Sequence, residues 1–369
     1  MDQAIFLKLL FFILASLIIF SLAFSSVFFV SDVKNDSGEI INIDNQNIVS
    51  EKTNLNEKKE EIKKEVFDPK ILKWKIVTAS APFAKRDAHN AIVFLNKIWL
   101  LGGVGGSSPD YSKIYSDIWN SQDGETWTLV TNKAPWGPRR AGEAIVFKNK
   151  LWILGGVTTG EKYLNDVWYS ENGIDWILAT NHAAWLPRKG FGAAVFQEKI
   201  WVIGGVTTNG VVNDVWYSEN GIDWILANNK APWRERYDLS VEVFLRKLWL
   251  SGGVFPGVLG EKETWYTDDG FNWQKAEGEI PWPGRHGHCF LSYKDYLWII
   301  GGWSGYAHGY NDVWYSKYGL DWNELYRDGV SLWGGREDLE CVDFNGKIFM
   351  LGGMKTNGER TNDVWVLSE

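Results

Sequence analysis

The sequence predicts an all-β fold: a six-bladed β-propeller of four-stranded antiparallel blades arranged in a closed ring. Glycine pairs recur at intervals of 53, 49, 48, 49 and 51 residues, a period typical of one supersecondary unit per repeat. The chain also contains 23 Trp among its 369 residues. Nearly all of them fall in columns set by the repeat, as expected where large rings pack between neighbouring sheets. The glycine pairs begin at Gly102, Gly155, Gly204, Gly252, Gly301 and Gly352.

Residues 1–30 are predicted to be a membrane anchor, because Leu9 to Val30 is an uncharged segment of 22 residues. A helix of that length spans roughly 33 Å, enough to cross a hydrocarbon core of about 30 Å. Lys8 on its N-terminal flank favours a single-pass topology with the body outside the cytoplasm, in the periplasm or at the cell surface. The alternative is a cleaved signal peptide and a secreted body.

Residues 31–70 are polar and charged, with almost no aromatic residues before Phe67. Such a composition does not bury enough apolar surface to offset chain entropy, so we expect a disordered tether. Residues 71–369 form the predicted propeller domain.

Each repeat contains four strand signals, which we call a, b, c and d. In the second repeat they cover 144–147, 150–156, 166–170 and 175–179. The a–b and c–d turns are tight, whereas the b–c and d–a connections are long and emerge at the same end of the sheet. The last repeat lacks strand d, and Lys73 to Thr78 is an unassigned strand d that precedes the first repeat. We therefore expect this N-terminal strand to close the ring as the outermost strand of the last blade.

An apolar strand ending in Gly-Gly, an aromatic strand c and a Trp at the start of strand d together resemble the kelch repeat. The c–d turns, such as Ser170 to Trp176, are similar to a shortened Asp-box. The resemblance implies a kelch-repeat β-propeller. The family ranges from protein-interaction modules to enzymes such as a sialic-acid mutarotase, so the resemblance implies the fold more than the activity.

Two aligned positions at the long-loop end, which we call columns, carry the same charge in all six repeats. An arginine stands 16 residues before each glycine pair, and an acid begins each strand c. The arginines either form a ring for an anionic ligand or pair with the acids as struts. Repetition in all six copies favours struts, because one asymmetric ligand does not use six equivalent sites. The arginines are Arg86, Arg139, Arg188, Arg236, Arg285 and Arg336, and the acids are Asp117, Asp166, Asp214, Glu263, Asp312 and Asp363.

The residue after each column arginine differs in every repeat, which makes it a candidate ligand-binding position at the mouth of the central channel. These residues are Asp87, Arg140, Lys189, Tyr237, His286 and Glu337. Aromatic and histidine side chains of two b–c loops are further candidates, since exposed rings stack on sugars or contact proteins. They are Tyr111, Trp303, Tyr306, His308 and Tyr310. An ordinary solvated rim and plain loop variation remain the alternatives.

The composition excludes some partners and cofactors. With 38 Lys+Arg against 46 Asp+Glu the chain has no basic field for nucleic acid. Two cysteines do not form a zinc site, and we expect neither a metal nor a cofactor. Cys289 and Cys341 stand one position apart in strands a of neighbouring repeats. Their side chains should therefore point to opposite strand faces and remain free thiols.

The predicted function is recognition by a monomeric, membrane-tethered binding module, whose long-loop face takes a protein or carbohydrate ligand. An enzyme acting on acidic sugars, similar to the mutarotase or to a sialidase, is the alternative. Glu337 or His286 would then transfer protons, and Tyr237 with Glu143 or Glu340 would supply a sialidase nucleophile pair. A purely structural surface protein is a third possibility, and the sequence does not decide whether catalysis occurs.

Overall fold

A computed structural model describes residues 67–108, 111–257, 260–305 and 308–369. The compact unit begins at Phe67, followed by a short 3-10 helix over Pro69–Ile71. The strands before the fourth repeat are β1 (Lys73–Thr78), β2 (Asn90–Phe94), β3 (Lys97–Leu101), β4 (Val104–Gly105), β5 (Lys113–Ile114), β6 (Ile118–Ser121), β7 (Trp127–Thr131), β8 (Glu143–Phe147), β9 (Lys150–Thr158), β10 (Lys162–Ser170), β11 (Trp176–Thr180), β12 (Arg188–Lys189), β13 (Gly192–Phe196), β14 (Lys199–Ile203), β15 (Val206–Thr207), β16 (Gly210–Val211), β17 (Val215–Ser218) and β18 (Ile225–Asn228). The remaining strands are β19 (Ser240–Phe244), β20 (Lys247–Ser251), β21 (Thr264–Thr267), β22 (Gln274–Lys275), β23 (Cys289–Tyr293), β24 (Tyr296–Ile300), β25 (Val313–Ser316), β26 (Trp322–Tyr326), β27 (Arg336–Glu337), β28 (Glu340–Phe344), β29 (Lys347–Leu351), β30 (Met354–Lys355) and β31 (Val364–Ser368).

The fold is an all-β propeller, but the prediction of six four-stranded blades is wrong. Among the described residues there are five separate four-stranded blades. Each runs antiparallel from strand a inside to strand d outside. The blades are β2-β3-β6-β7, β13-β14-β17-β18, β19-β20-β21-β22, β23-β24-β25-β26 and β28-β29-β31-β1.

The strands of the second repeat belong instead to a seven-stranded sheet, which also takes in the short loop strands β12, β15 and β16. The physical reason is a longer b–c hairpin. Strands β9 and β10 each run for 9 residues. Past the glycine pair, Val157 lies opposite Tyr163 and Thr158 opposite Lys162. Leu164 of β10 then pairs with Arg188 of β12, so the ladder continues into the loops of the third repeat.

The predicted membrane-spanning helix is not part of this architecture. In the described ranges no helix is long and apolar enough to cross a membrane. The predicted anchor at residues 1–30 lies outside those ranges, as do residues 31–66 of the predicted tether.

The N-terminal strand closes the last sheet as the sequence predicts. Strand β1 pairs antiparallel with β31, with Trp74 opposite Leu367 and Ile76 opposite Trp365. The outer position of this sheet is therefore filled by the start of the folded unit, and its middle by the end of the chain.

Aromatic rings of the d–a loops cover the blades and are buried. Phe83, Trp136, Trp185, Trp233, Trp282 and Trp333 are each at most 4% exposed. Each packs edge-on against the Trp that begins strand d of the same repeat, with Trp136 and Trp176 centroids 6.0 Å apart. Trp333 meets Trp74 of the closing strand in the same way, at 5.7 Å. These rings are thus part of the core.

The column arginines are buried struts, which confirms the structural interpretation. Each guanidinium lies 2.5 to 2.8 Å from a column acid. Each also donates to the carbonyl of the first glycine of its pair, as Arg285 does to Gly301 at 2.7 Å. In five of the six repeats the acid accepts a further bond from the Trp of strand c, as Asp312 does from Trp314 at 2.7 Å. One buried cation therefore ties the d–a loop, the end of strand b and the start of strand c together.

The expectation of free thiols is wrong, because Cys289 and Cys341 form a disulfide between β23 and β28. The two residues do belong to opposite faces of their own strands. Neighbouring sheets of a propeller, however, meet through opposite faces, so side chains on those faces point toward each other across the interface. The Cα atoms are 5.7 Å apart, within the range that a disulfide spans.

Candidate functional site

The six variable positions meet in one cavity of about 840 Å³ at the long-loop end of the channel. We call it the mouth cavity. Each variable residue is held by backbone pairing with the residue that follows the glycine pair, as His286 is with Trp303 and Tyr237 with Val254. The structure therefore brings together Asp87, Arg140, Lys189, Tyr237, His286 and Glu337, and it adds Tyr111 and Trp303 from the b–c loops.

The floor of the mouth cavity is a closed ring of backbone hydrogen bonds. In each repeat, the residue after the variable position donates its backbone N–H to the carbonyl of the residue at the same position in the preceding repeat, at 2.7 to 3.2 Å. All six residues have φ between 47° and 57°, a region that favours glycine and tolerates Ala and Asp at a small cost. The ring residues are Ala88, Ala141, Gly190, Asp238, Gly287 and Asp338.

Two of the ring residues, Asp238 and Asp338, carry carboxyl groups. In each case the ring residue of the preceding repeat is a glycine, which leaves space for the carboxyl group. A Cβ on Gly190 would lie 2.3 Å from Oδ1 of Asp238, and a Cβ on Gly287 would lie 2.5 Å from Oδ1 of Asp338. Burial raises the pKa of Asp238 to about 6. Burial, together with the neighbouring Glu337 carboxylate, raises the pKa of Asp338 well above its usual range. The floor is therefore acidic but only partly ionised at neutral pH.

His286 and Glu337 form an acid–base pair beside this floor. Nδ1 of His286 lies 3.8 Å from Oε2 of Glu337 and 4.0 Å from Oδ2 of Asp238. Burial raises the pKa of Glu337 to about 8, with repulsion from Asp238 as a second cause. Burial lowers the pKa of His286 to about 4. At neutral pH the pair therefore combines a carboxylic acid, which donates a proton, with a neutral imidazole, which accepts one.

Asp87 is 3% exposed and is held by a buried arginine from the last b–c loop. Nε of Arg360 lies 3.1 Å from Oδ2 of Asp87, and its Nη1 donates to the Gly105 carbonyl at 3.1 Å. Oδ1 of Asp87 is buried without a hydrogen-bond partner among the described residues. Burial raises the pKa of this carboxyl despite the arginine.

The two basic side chains of the cavity wall share one carboxylate. Glu161, at the tip of the β9–β10 hairpin, accepts from Arg140 through Oε1 at 2.5 Å and from Lys189 through Oε2 at 2.9 Å. Arg140 also lies 4.3 Å from the centroid of the Tyr111 ring, and Lys189 lies 5.5 Å from that of Tyr163. The wall is therefore positive on the side opposite His286 and Glu337.

The five loop candidates have different positions. Tyr111 and Trp303 line the mouth cavity. Tyr310 is 9% exposed and packs against the strut arginine Arg285, whose Cζ atom lies 4.5 Å from the centroid of the Tyr310 ring. His308 bonds to Asp328 at 2.7 Å on the outside of the loop. Tyr306 lies outside the described residues.

A smaller cavity of about 170 Å³ continues below the ring. Glu143 and Glu340 line it, whereas Tyr237 lines the mouth cavity. Burial raises the pKa of Glu340 to about 8, and burial with repulsion from Glu340 raises the pKa of Glu143 well above its usual range. The residues of the expected tyrosine–glutamate pair therefore face different compartments.

Within the described ranges no group of three or more His, Cys, Asp or Glu side chains is arranged to hold a metal ion. His286 faces Glu337, whereas His288 lies 3.2 Å from the Ser251 hydroxyl. The two histidines of the His-Gly-His sequence thus have different surroundings.

Sequence reasoning missed Glu161, Arg360 and the ring acids Asp238 and Asp338. The ring acids had a usable signal, since their column is otherwise Ala or Gly, so an acid there departs from the repeat. Glu161 and Arg360 belong to b–c loops of equal length but different sequence. Neither residue type recurs at the same position in another repeat, so only their contacts identify them.

Comparison with family models finds the Kelch motif at residues 187–217. This chain carries a Kelch motif. Around it small antiparallel sheets form a propeller. This propeller is similar to the solved structure titled "Structure of YjhT", with a TM-score of 0.64 and 18% sequence identity, over 79% of this chain and 100% of that one. At that identity the likeness concerns the fold. A search of curated proteins finds no match.

Proposed function

We propose that this Kelch propeller is a binding module that takes a carbohydrate ligand in its mouth cavity. One observation carries the proposal: six variable positions and two loop aromatics line a single cavity of about 840 Å³. Ligand sites are typically concave and have a volume of roughly 300–1,000 Å³, with a few polar groups that fix orientation.

The chemistry of the wall supports a polar ligand. Arg140 and Lys189 lie on one side, and His286 and Glu337 on the other. The aromatic residues Tyr111 and Trp303 line the same cavity. Hydroxyl groups donate to and accept from such side chains, and sugar faces stack on aromatic rings. Kelch propellers generally bind protein partners, and a protein partner is the alternative that the experiment separates.

The test is a glycan array followed by calorimetry with the full-length protein. The variants are Arg140→Ala and His286→Ala. The matched control is Lys247→Ala, whose side chain pairs with Asp268 at 2.8 Å and belongs to the end with the tight turns. We expect at least about tenfold weaker binding for Arg140→Ala, because a charged hydrogen bond contributes roughly 1.5–3 kcal/mol, and unchanged binding for the control. If the unaltered protein binds no sugar, the carbohydrate proposal fails and a protein partner becomes the working hypothesis.

The His286–Glu337 pair favours a second candidate, an acid–base enzyme acting on an acidic sugar. The pair combines a proton donor and a proton acceptor 3.8 Å apart. The test measures exchange between the two anomers of glucuronate by NMR exchange spectroscopy. We expect faster exchange with the unaltered protein and an acceleration about 100-fold smaller with Glu337→Gln. Exchange at the uncatalysed rate with the unaltered protein would leave only the binding role.

The disulfide between Cys289 and Cys341 supports a location outside the cytoplasm. Disulfides persist in oxidising compartments and are rare in reducing ones. Detection of the intact disulfide in protein taken directly from cells, with thiols blocked at lysis, tests this location. Two free thiols would contradict it.

A further inference from the structure

Glu161 has an unusual position for a residue of the cavity wall. It follows Gly160 at the tip of the β9–β10 hairpin and has a φ of 57°. Its side chain is 51% exposed, whereas the side chains of Arg140 and Lys189, to which it is bound, are 8% and 20% exposed. The carboxylate is therefore the solvent-facing partner of two cations that are largely enclosed.

The backbones of the two basic residues are held by strand pairing. Arg140 pairs through its backbone with Val157 and lies against the Tyr111 ring. Lys189 belongs to β12, which pairs with β15. Removing the Glu161 carboxylate would leave two adjacent, largely buried positive charges without that counterion, an arrangement that attracts another anion.

We propose that Arg140 and Lys189 form an anion-binding subsite of the mouth cavity, and that Glu161 fills this subsite until an anionic group of the ligand replaces it. The proposal rests on the proposed ligand-binding role of the cavity and specifies the ligand class, a sugar bearing a carboxylate or a phosphate. Both groups offer two oxygens to two donors, as the Glu161 carboxylate does.

The alternative is that Glu161 only neutralises the wall. A purely structural carboxylate would help binding or leave it unchanged, because it would keep the cations in place. A competing carboxylate opposes binding of an anion and has no effect on a neutral sugar. The sign of the effect of removing its charge therefore separates the two roles.

The experiment titrates the full-length protein with glucuronate, glucose 6-phosphate and glucose. The variant is Glu161→Gln. The matched control is Glu171→Gln, whose carboxylate pairs with Lys150 at 2.9 Å and is 70% exposed in a c–d turn at the other end. We expect Glu161→Gln to bind one of the acidic sugars about threefold to tenfold more tightly, with glucose and the control unchanged. Equal or weaker binding of both acidic sugars by Glu161→Gln would overturn the proposal while the proposed function stands.

A second measurement remains decisive if no sugar binds. Acylation of Lys189 by an amine-reactive ester, followed by mass spectrometry, reports whether an anion covers this side chain. In Glu161→Gln we expect acylation of Lys189 to rise severalfold and inorganic phosphate to suppress it. That result without sugar binding would support the subsite and reject the carbohydrate. Unchanged acylation, or no effect of phosphate on the variant, would overturn the subsite itself.

Discussion

The strut between Arg285 and Asp312 gives the sharpest test of how the propeller is held together. The Arg285 side chain is fully buried, and the Asp312 side chain is 3% exposed. Two bonds join them, Nη1 to Oδ1 at 2.7 Å and Nη2 to Oδ2 at 2.8 Å. Oδ2 also accepts from Trp314 at 2.7 Å. The substitution Asp312→Asn keeps the shape and removes the charge.

The expected loss of unfolding free energy is about 3–5 kcal/mol, the usual cost of leaving one buried charge without its partner. The amide adds to this cost, because its NH₂ group would face an N–H donor of Arg285 in either orientation, and also that of Trp314 in one of them. The carbonyls of Gly301 and Pro283, which accept from the same guanidinium at 2.7 and 3.2 Å, keep the loss toward the lower value.

The assay is urea unfolding followed by tryptophan fluorescence. Asp166→Asn is the matched comparison, because the Asp166 side chain is 18% exposed, so water reaches the acid side of this pair even though Arg139 is 1% exposed. We expect a smaller loss there. We also expect the double change Arg285→Met with Asp312→Leu to restore much of the stability, since an apolar pair carries no desolvation cost. A loss below about 1 kcal/mol for Asp312→Asn, or equal losses at the two acids, would refute this account.

Three further predictions concern the channel and its walls. Burial raises the pKa of Glu340 to about 8, above its value in the unfolded chain, so its contribution to stability is present at acid pH and is lost as the pH rises through 8. Unfolding free energy should therefore fall between pH 5 and 8 with a slope of up to about 1.4 kcal/mol per pH unit from this group. Denaturant titrations across that range should give a shallower fall of the unfolding free energy for Glu340→Gln. Identical slopes for the variant and the unaltered protein would contradict the assignment to Glu340. Replacing Cys289 and Cys341 by Ala opens a covalent loop with a sequence separation of 52. On the chain-entropy account this should lower the unfolding free energy by up to about 4 kcal/mol. A urea midpoint that neither the replacement nor a reductant changes would contradict a stabilising role of the disulfide. Gly190→Ala should destabilise the protein by about 1–2 kcal/mol in thermal melts, because its Cβ would lie 2.3 Å from the Asp238 carboxyl. Ala88 and Ala141 adopt a similar φ, so an unchanged melting temperature would mean that the Asp238 carboxyl moves away freely.

The repeat allowed much of the framework to be predicted. A side chain that recurs at one position in every copy has the same neighbours each time, so its spacing alone indicates a structural role. This reasoning held for the strut pair Arg285 and Asp312. It also identified His286 and Glu337 as residues of one mouth, since each stands one place after a strut arginine.

The same reasoning failed where contacts cross between repeats. Cys289 and Cys341 were expected to point apart because their strand faces were compared within single sheets, whereas the two sheets meet through opposite faces. The pairing of Leu164 with Arg188, which joins the second repeat to loop strands of the third in a seven-stranded sheet, depends on how far the b–c hairpin remains paired. Strand signals do not encode that length.

By itself the sequence determined the all-β repeat, the closing strand around Trp74, the strut columns, and the position of the variable rim. These features follow from periodicity, because side chains at equal spacing in equal units meet equal surroundings. Only the tertiary structure decided that five sheets stay separate, that the cysteines bond, and that Glu161 joins Arg140 to Lys189. Those outcomes depend on distances between different repeats and on the burial that raises the pKa of Glu337, and both arise only when the sheets are assembled around the channel.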